Sequence, residues 1–510
     1  MLVILTAQWL SLWTFKVEKN SRGAFGVPEP RSAAIQYRGL QKRRQIMKRF
    51  YPAMVAVPVA LSIYAMTAWG QRPPETVTII KEFEFSDASK VTGGDWQTPV
   101  ATYNDSIYYV YVTQQLKTMI VKKSSDGAVS KKVIFEETDS NPWHNGVSVG
   151  IDRNGYIHVA GNMHHSPFDH PQTGNSFYQY AWQYVVSNKP EDISSFSFVG
   201  NDESRTIPGT WITYPSFARD LNGVLFVAFR HRVKFGTGWS PGIMAAAVAR
   251  YDAEAKIWVM LGGIDYAHGV KTFFWNDSGA GGTADQPYRT RIFFDRNNGM
   301  HVAWVVDDGH GSSGYHTHVL YAYSADGGET FKRADGSLYE TLPITLENGD
   351  VVVGSEWTGS NGRLWYTSYV GVTADGDPAI SFADNRNDTA WWSLWHSGAG
   401  WSAPEKLPFE YIPARILTDA NGILTAVDGR NKLHRSSDNG QSWLPYSVET
   451  LGIHSTNFDY PYLLETGNLR FQTYSTTTGT VKVWTVGFSD AGSADKSPMD
   501  ASARLSANRK

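Results

Sequence analysis

The sequence predicts an all-β chain folded as a seven-bladed β-propeller, and three observations carry that expectation. One unit recurs seven times beyond residue 80: an aromatic residue or His, an apolar strand, a turn, then a second strand. The copies are spaced by about 45 to 78 residues, the range expected for four-stranded blades. Two copies are followed by an Asp-box turn, Ser324 to Phe331 and Ser436 to Trp443, with a weaker relative at Ser124. In such a turn the Asp bonds turn amides, Gly supplies positive φ and the aromatic returns onto the blade. The composition agrees, with 14% aromatic residues, 47 Gly and only 19% charged residues.

Taken in order, the chain opens with residues 1–46, an upstream extension without a fold signal. Residues 47–70 read as a signal peptide. Lys42 to Arg44 and Lys48-Arg49 are basic, Ala53 to Ala65 is apolar, and Ala68 and Gly70 are small residues before Gln71. The apolar run is short for a membrane span. The expected product is secreted or periplasmic, monomeric, and free of the membrane once the signal is cleaved. Residues 71–490 form the propeller, and 491–510 are a polar tail expected to be disordered.

The seven units open at Trp96, Trp143, Tyr214, Tyr288, Tyr366, Tyr411 and Tyr460. In a propeller the start of each innermost strand borders a shared central funnel. Trp96, His144, Tyr214, Tyr288, Tyr366, Tyr411 and Tyr460 are therefore expected to line it. Aromatic rings there suit sugar faces, and bases suit anionic substituents. The net charge of −3 gives no bulk electrostatic case for nucleic acid. The absence of Cys excludes disulfide and thiolate chemistry.

Two hairpins draw polar residues to that funnel. Val147 to Gly161 reads as strand, Asn-Gly turn, strand, so His144 and His164 leave from one sheet edge. The next unit repeats the relation with Tyr214 and Arg230. The fourth adds Tyr288, Arg289 and Arg291. His, His, Tyr and Arg together suit β-elimination beside a carboxylate. Arg and imidazole neutralise the carboxylate, a base takes the proton from the adjacent carbon, and an acid protonates the departing oxygen.

Four motifs carry a family resemblance: Trp143-His144-Asn-Gly, Gly161-Asn-Met-His164-His165, Trp211-Ile-Thr-Tyr214-Pro-Ser and Phe229-Arg230-His231-Arg232. With them the chain resembles the propeller-type ulvan lyases, polysaccharide lyase family twenty-five and more distantly family twenty-four. The resemblance implies cleavage of ulvan, a sulfated algal polymer of rhamnose and uronic acid, leaving unsaturated uronyl ends. It implies His144 and Tyr214 as the acid/base pair, and His164 and Arg230 as carboxylate binders. Trp143, His165, His231, Tyr288, Arg289 and Arg291 are the substrate-binding candidates. The chemistry requires no cofactor. His310, His316 and His318, beside Asp307 and Asp308, are candidate ligands of a structural divalent cation, zinc or calcium. Two other readings compete: a sialidase-like hydrolase, which leaves the histidine pair unexplained, and a non-catalytic sugar-binding propeller.

Overall fold

Many inner strands of this chain are buried on both faces, because each blade is sandwiched between two others. The inner hairpin Val147–Ile151 and Ile157–Gly161 is buried at every position, and so is Ser106–Val112. This explains continuous apolar runs where a half-exposed sheet would alternate. The computed structural model describes residues 76–93, 96–136, 146–161, 183–209, 212–234, 243–263, 265–266, 270–275, 286–307, 316–357, 364, 368–384, 389–409, 415–428, 432–446, 457–475 and 477–489. The chain divides into two units, Met1–Trp69 and Gly70–Lys510, and all described residues belong to the second. The leader and the polar tail expected from the sequence lie outside them.

The second unit is a ring of seven antiparallel blades, as expected. Each follows the chain outward from the centre. The innermost strands of blades 1 to 6 are Val100–Tyr103, Val147–Ile151, Thr213–Arg219, Gln286–Phe294, Tyr369–Val372 and Arg415–Thr418. Blade 7 runs outward from Asn457–Phe458 through Leu469–Ser475 and Thr480–Ser489 to Thr76–Phe85. The first strand of the unit thus closes the last blade.

At the end of the ring where inner strands finish, an Asp recurs at the turn. The Oδ1 atoms of Asp152, Asp220, Asp295 and Asp419 each accept two backbone amides at 2.7–3.0 Å. In blades 2 and 4 the second carboxylate oxygen meets a buried imidazole, His158 at 3.4 Å and His301 at 3.2 Å. Each ring's Nδ1 is 2.7 Å from a tyrosine hydroxyl, Tyr184 or Tyr321. These Asp-His-Tyr relays satisfy polar atoms inside the blade. The Asp boxes form as expected. Asp438 accepts the Ser442 amide at 2.9 Å, and Trp443 packs on Phe409. Gly440 has φ +86, and a Cβ there would lie 2.2 Å from Trp392.

One unit departs from the expected pattern. Tyr460 opens a helix, Tyr460–Thr466, and the inner strand of blade 7 shrinks to Asn457–Phe458. Local signals favour the helix. Asp459 caps it by accepting the Tyr462 amide at 3.3 Å, Pro461 sits in the first turn, and Gly467 ends it at φ 75. Leu463 and Leu464 are buried, and Arg219 of blade 3 pairs with Glu465 at 3.0 Å. The helix contacts blades 1, 3, 4 and 6 and occupies the channel at the end where inner strands finish. Asp459 is buried. Burial raises its pKa, against the pull of Arg470 and the hydrogen bond from Thr102. Asp459→Ala removes the cap and the acceptor for Thr102, and should cost about 2–4 kcal/mol in urea unfolding. Asp459→Asn, which still caps, should lose clearly less.

Candidate active site

The polar residues of blades 3 and 4 converge where their inner strands begin. Two matched bulges create the site. In blade 3 the pairing steps from Thr213 opposite Arg230 to Ser216 opposite Ala228. In blade 4 it steps from Tyr288 opposite Val305 to Arg291 opposite Ala303. Tyr214 is thus the structural counterpart of Arg289, one residue away from the Tyr214 and Tyr288 alignment read in the sequence. Both bulged residues have positive φ, 60° at Tyr214 and 47° at Arg289. Such backbone costs of order 1–3 kcal/mol for a non-glycine residue and persists where surrounding structure enforces it.

Arg230 is the centre of the cluster. It is 4% exposed, and its guanidinium carbon lies 4.9 Å from the Tyr214 ring centre and 4.5 Å from that of Tyr288. Nε donates to Thr213 Oγ1 at 3.0 Å, and one Nη donates to Gln286 Oε1 at 3.5 Å. Burial opposes its charge, but Tyr288, Tyr214 and Asp307 outweigh burial and keep it cationic. Among the described residues no carboxylate forms an ion pair with it. Tyr214 is held edge-on by Trp96 at 5.3 Å and lies 6.1 Å from Tyr288, and Arg289 sits 6.0 Å from the Tyr214 ring. Tyr288 meets His316 edge-on at 4.9 Å. His316 is buried and its pKa falls to about 3, through burial and then the charges of Arg289 and Arg230.

Of the residues picked from sequence, Tyr214, Arg230, Tyr288 and Arg289 come together. Arg291 turns instead to Tyr369 of blade 5, 4.7 Å from its ring centre. His231 lies on the opposite face of its strand from Arg230. It is fully buried, with Nε2 3.2 Å from Thr272 Oγ1, and burial lowers its pKa to about 3. Trp143, His144, His164, His165 and His310 lie outside the described residues. Val147 does pair with Gly161, so the chain leaves one sheet edge toward both His144 and His164.

The metal set is divided. A register shift pairs Val306 with His318 but Asp307 with His316. Adjacent residues of a strand face opposite ways, so His316 shares a face with Asp307, and His318 takes the other. His318 Nδ1 is 2.8 Å from Thr317 Oγ1. Among the described residues no three His, Asp or Glu side chains form a metal-binding group. Gln286, Asp307 and His316 as neighbours of Arg230 escaped the sequence reading. Pairing Gln286 with Asp307 across the strands was the signal that would have found them.

A model of the BNR repeat-containing family matches residues 106–405. No curated protein matches the sequence. Among solved structures, the polysaccharide lyase Uly1 is similar at 14% identity, over 81% of this chain and 99% of that one, with TM-score 0.58. A PL25 ulvan lyase bound to GlcA(1-4)Rha3S is similar at 15% identity, over 79% of this chain and 95% of that one, with TM-score 0.56. The same kind of enzyme in another structure matches at 14% identity, over 81% and 94%, with TM-score 0.56. At these identities the likeness is one of fold.

His231 and His316 are neutral when folded but protonate near pH 6.5 when unfolded. Between pH 6.5 and about 3 the unfolded chain binds the extra protons, so stability falls as pH drops through that window. Each group should contribute up to roughly 1.4 kcal/mol per pH unit. Urea unfolding between neutral pH and about 4 should show a shallower slope for His231→Asn than for the unaltered chain.

Proposed function

The chain belongs to the BNR repeat-containing family, and from that premise we propose that it is a polysaccharide lyase acting on a uronate-containing polymer, ulvan by preference. The observation that carries this reading is Arg230: a buried guanidinium with neutral hydrogen-bond partners and two aromatic rings against it. A buried cation in such surroundings is stabilised by an anionic ligand group. A uronate carboxylate is the anion that also makes chemistry available.

With the carboxylate at Arg230, negative charge developing on it after proton loss is stabilised in place. The proton on the carbon beside that carboxylate passes to a base. Its electron pair forms the double bond to the neighbouring carbon, and the bond from that carbon to the glycosidic oxygen breaks. An acid protonates the departing oxygen. Tyr214 is the candidate for one of these transfers, and His144 for the other. Arg230 and Arg289 beside the Tyr214 ring favour negative charge there during transfer. His164 is the proposed second carboxylate binder, with Trp143 and His165 as neighbouring contacts. Because His316 and His318 face opposite ways, a structural divalent cation would draw on only one of them together with His310, and it takes no part in the chemistry. The basic segment and apolar run ahead of Gln71 support export, consistent with a polymeric substrate.

Purified protein mixed with ulvan should give the ultraviolet absorbance of a conjugated unsaturated uronate. Tyr214→Phe and Arg230→Lys should each lower the rate by about 10²–10⁴-fold with the fold intact. Reducing ends released without that absorbance would instead identify a hydrolase. Binding without any cleavage would identify a lectin-like propeller.

A further inference from the structure

Blades 4, 5 and 6 hold a second buried cationic cluster that the chemistry above leaves unused. Arg415 opens the inner strand of blade 6, and Tyr369 opens that of blade 5. Arg415 Nε donates to the Tyr369 hydroxyl at 3.0 Å. Its guanidinium carbon lies 5.6 Å from the Tyr369 ring centre and 5.9 Å from that of Phe458. Arg291 approaches the same Tyr369 ring to 4.7 Å. Arg291 and Tyr369 line a central cavity of about 60 Å³.

Arg415 is 1% exposed. Its Nη2 has no hydrogen-bond partner, and no carboxylate pairs with it, among the described residues. Two other buried arginines of the ring are matched by carboxylates. Arg435 meets Asp419 at 2.7 Å, and Arg470 lies 3.7 Å from Glu82. Desolvating a guanidinium without an anion is costly, and a second guanidinium on the same ring adds repulsion. An oxyanion beside both removes both penalties, and the guanidinium fork is built for one.

We propose that Arg415 and Arg291, framing Tyr369, bind an oxyanion of the saccharide: a sulfate ester or a second uronate carboxylate, separate from the carboxylate at Arg230. The identity of the ligand rests on the lyase reading, whereas the need for an anion does not. The site would make the enzyme sensitive to a charged group away from the bond being broken.

The test is calorimetry on the intact protein, titrated with inorganic sulfate and with free glucuronate. Arg415→Lys, Arg291→Gln and Arg230→Lys are run beside it, each checked for an unchanged melting temperature. The unaltered protein should bind at least one of these anions, with affinity about 10- to 100-fold weaker in Arg415→Lys and Arg291→Gln and retained in Arg230→Lys. Sulfate alone identifies the sulfate ester as ligand, and glucuronate alone identifies the carboxylate. Binding of neither anion by the unaltered protein overturns the proposal. So does binding lost in Arg230→Lys but kept in the other two. Because the readout is binding without turnover, an absence of lyase activity would leave this result standing.

Discussion

The ring exists because its first strand closes its last blade. Thr76–Phe85 pairs along Thr480–Ser489, joining segments some four hundred residues apart. Glu82 on that strand ties three elements together. It accepts from Lys123 of blade 1 and Thr485 of blade 7, both at 2.7 Å, and lies 3.7 Å from Arg470. Burial alone would raise its pKa, but these partners outweigh burial and hold it below the usual carboxylate range. Only in a closed ring do the inner strands converge. The Tyr214, Arg230 and Tyr288 cluster spans two of them, and the Arg291, Tyr369 and Arg415 cluster spans three.

Both clusters share one physical device: a cation withdrawn from water and cushioned by aromatic rings. Rings supply partial negative charge from their faces without occupying the place of an anionic ligand. The bulges at Tyr214 and Arg289 contribute by turning side chains that a regular strand would have sent elsewhere. Two of the positive-φ residues therefore sit where blades 3 and 4 present their polar groups.

The blade count was legible because spacing and turn chemistry are local. Ser436 to Trp443 announces its own turn, and Asp152 to Gly155 announces a hairpin. Arg230 was legible for the same reason, since it ends a hairpin that begins beside Tyr214. What escaped depended on pairing between strands. The bulge that makes Arg289 the counterpart of Tyr214 cannot be read from either strand alone. Nor can the register shift that sends His316 and His318 to opposite faces. His231 looked like Arg230 in sequence, yet the two-residue period of a strand sends it inward to Thr272. At Tyr460 the aromatic opener matched its six counterparts, but Asp459, Pro461 and Gly467 together favour a helix.

That helix shapes more than one blade. Lodged where the inner strands finish, Tyr460–Thr466 turns what would be a tunnel into a cup. On the proposed lyase reading, a polymer would lie across the open end of the ring and would not thread through it.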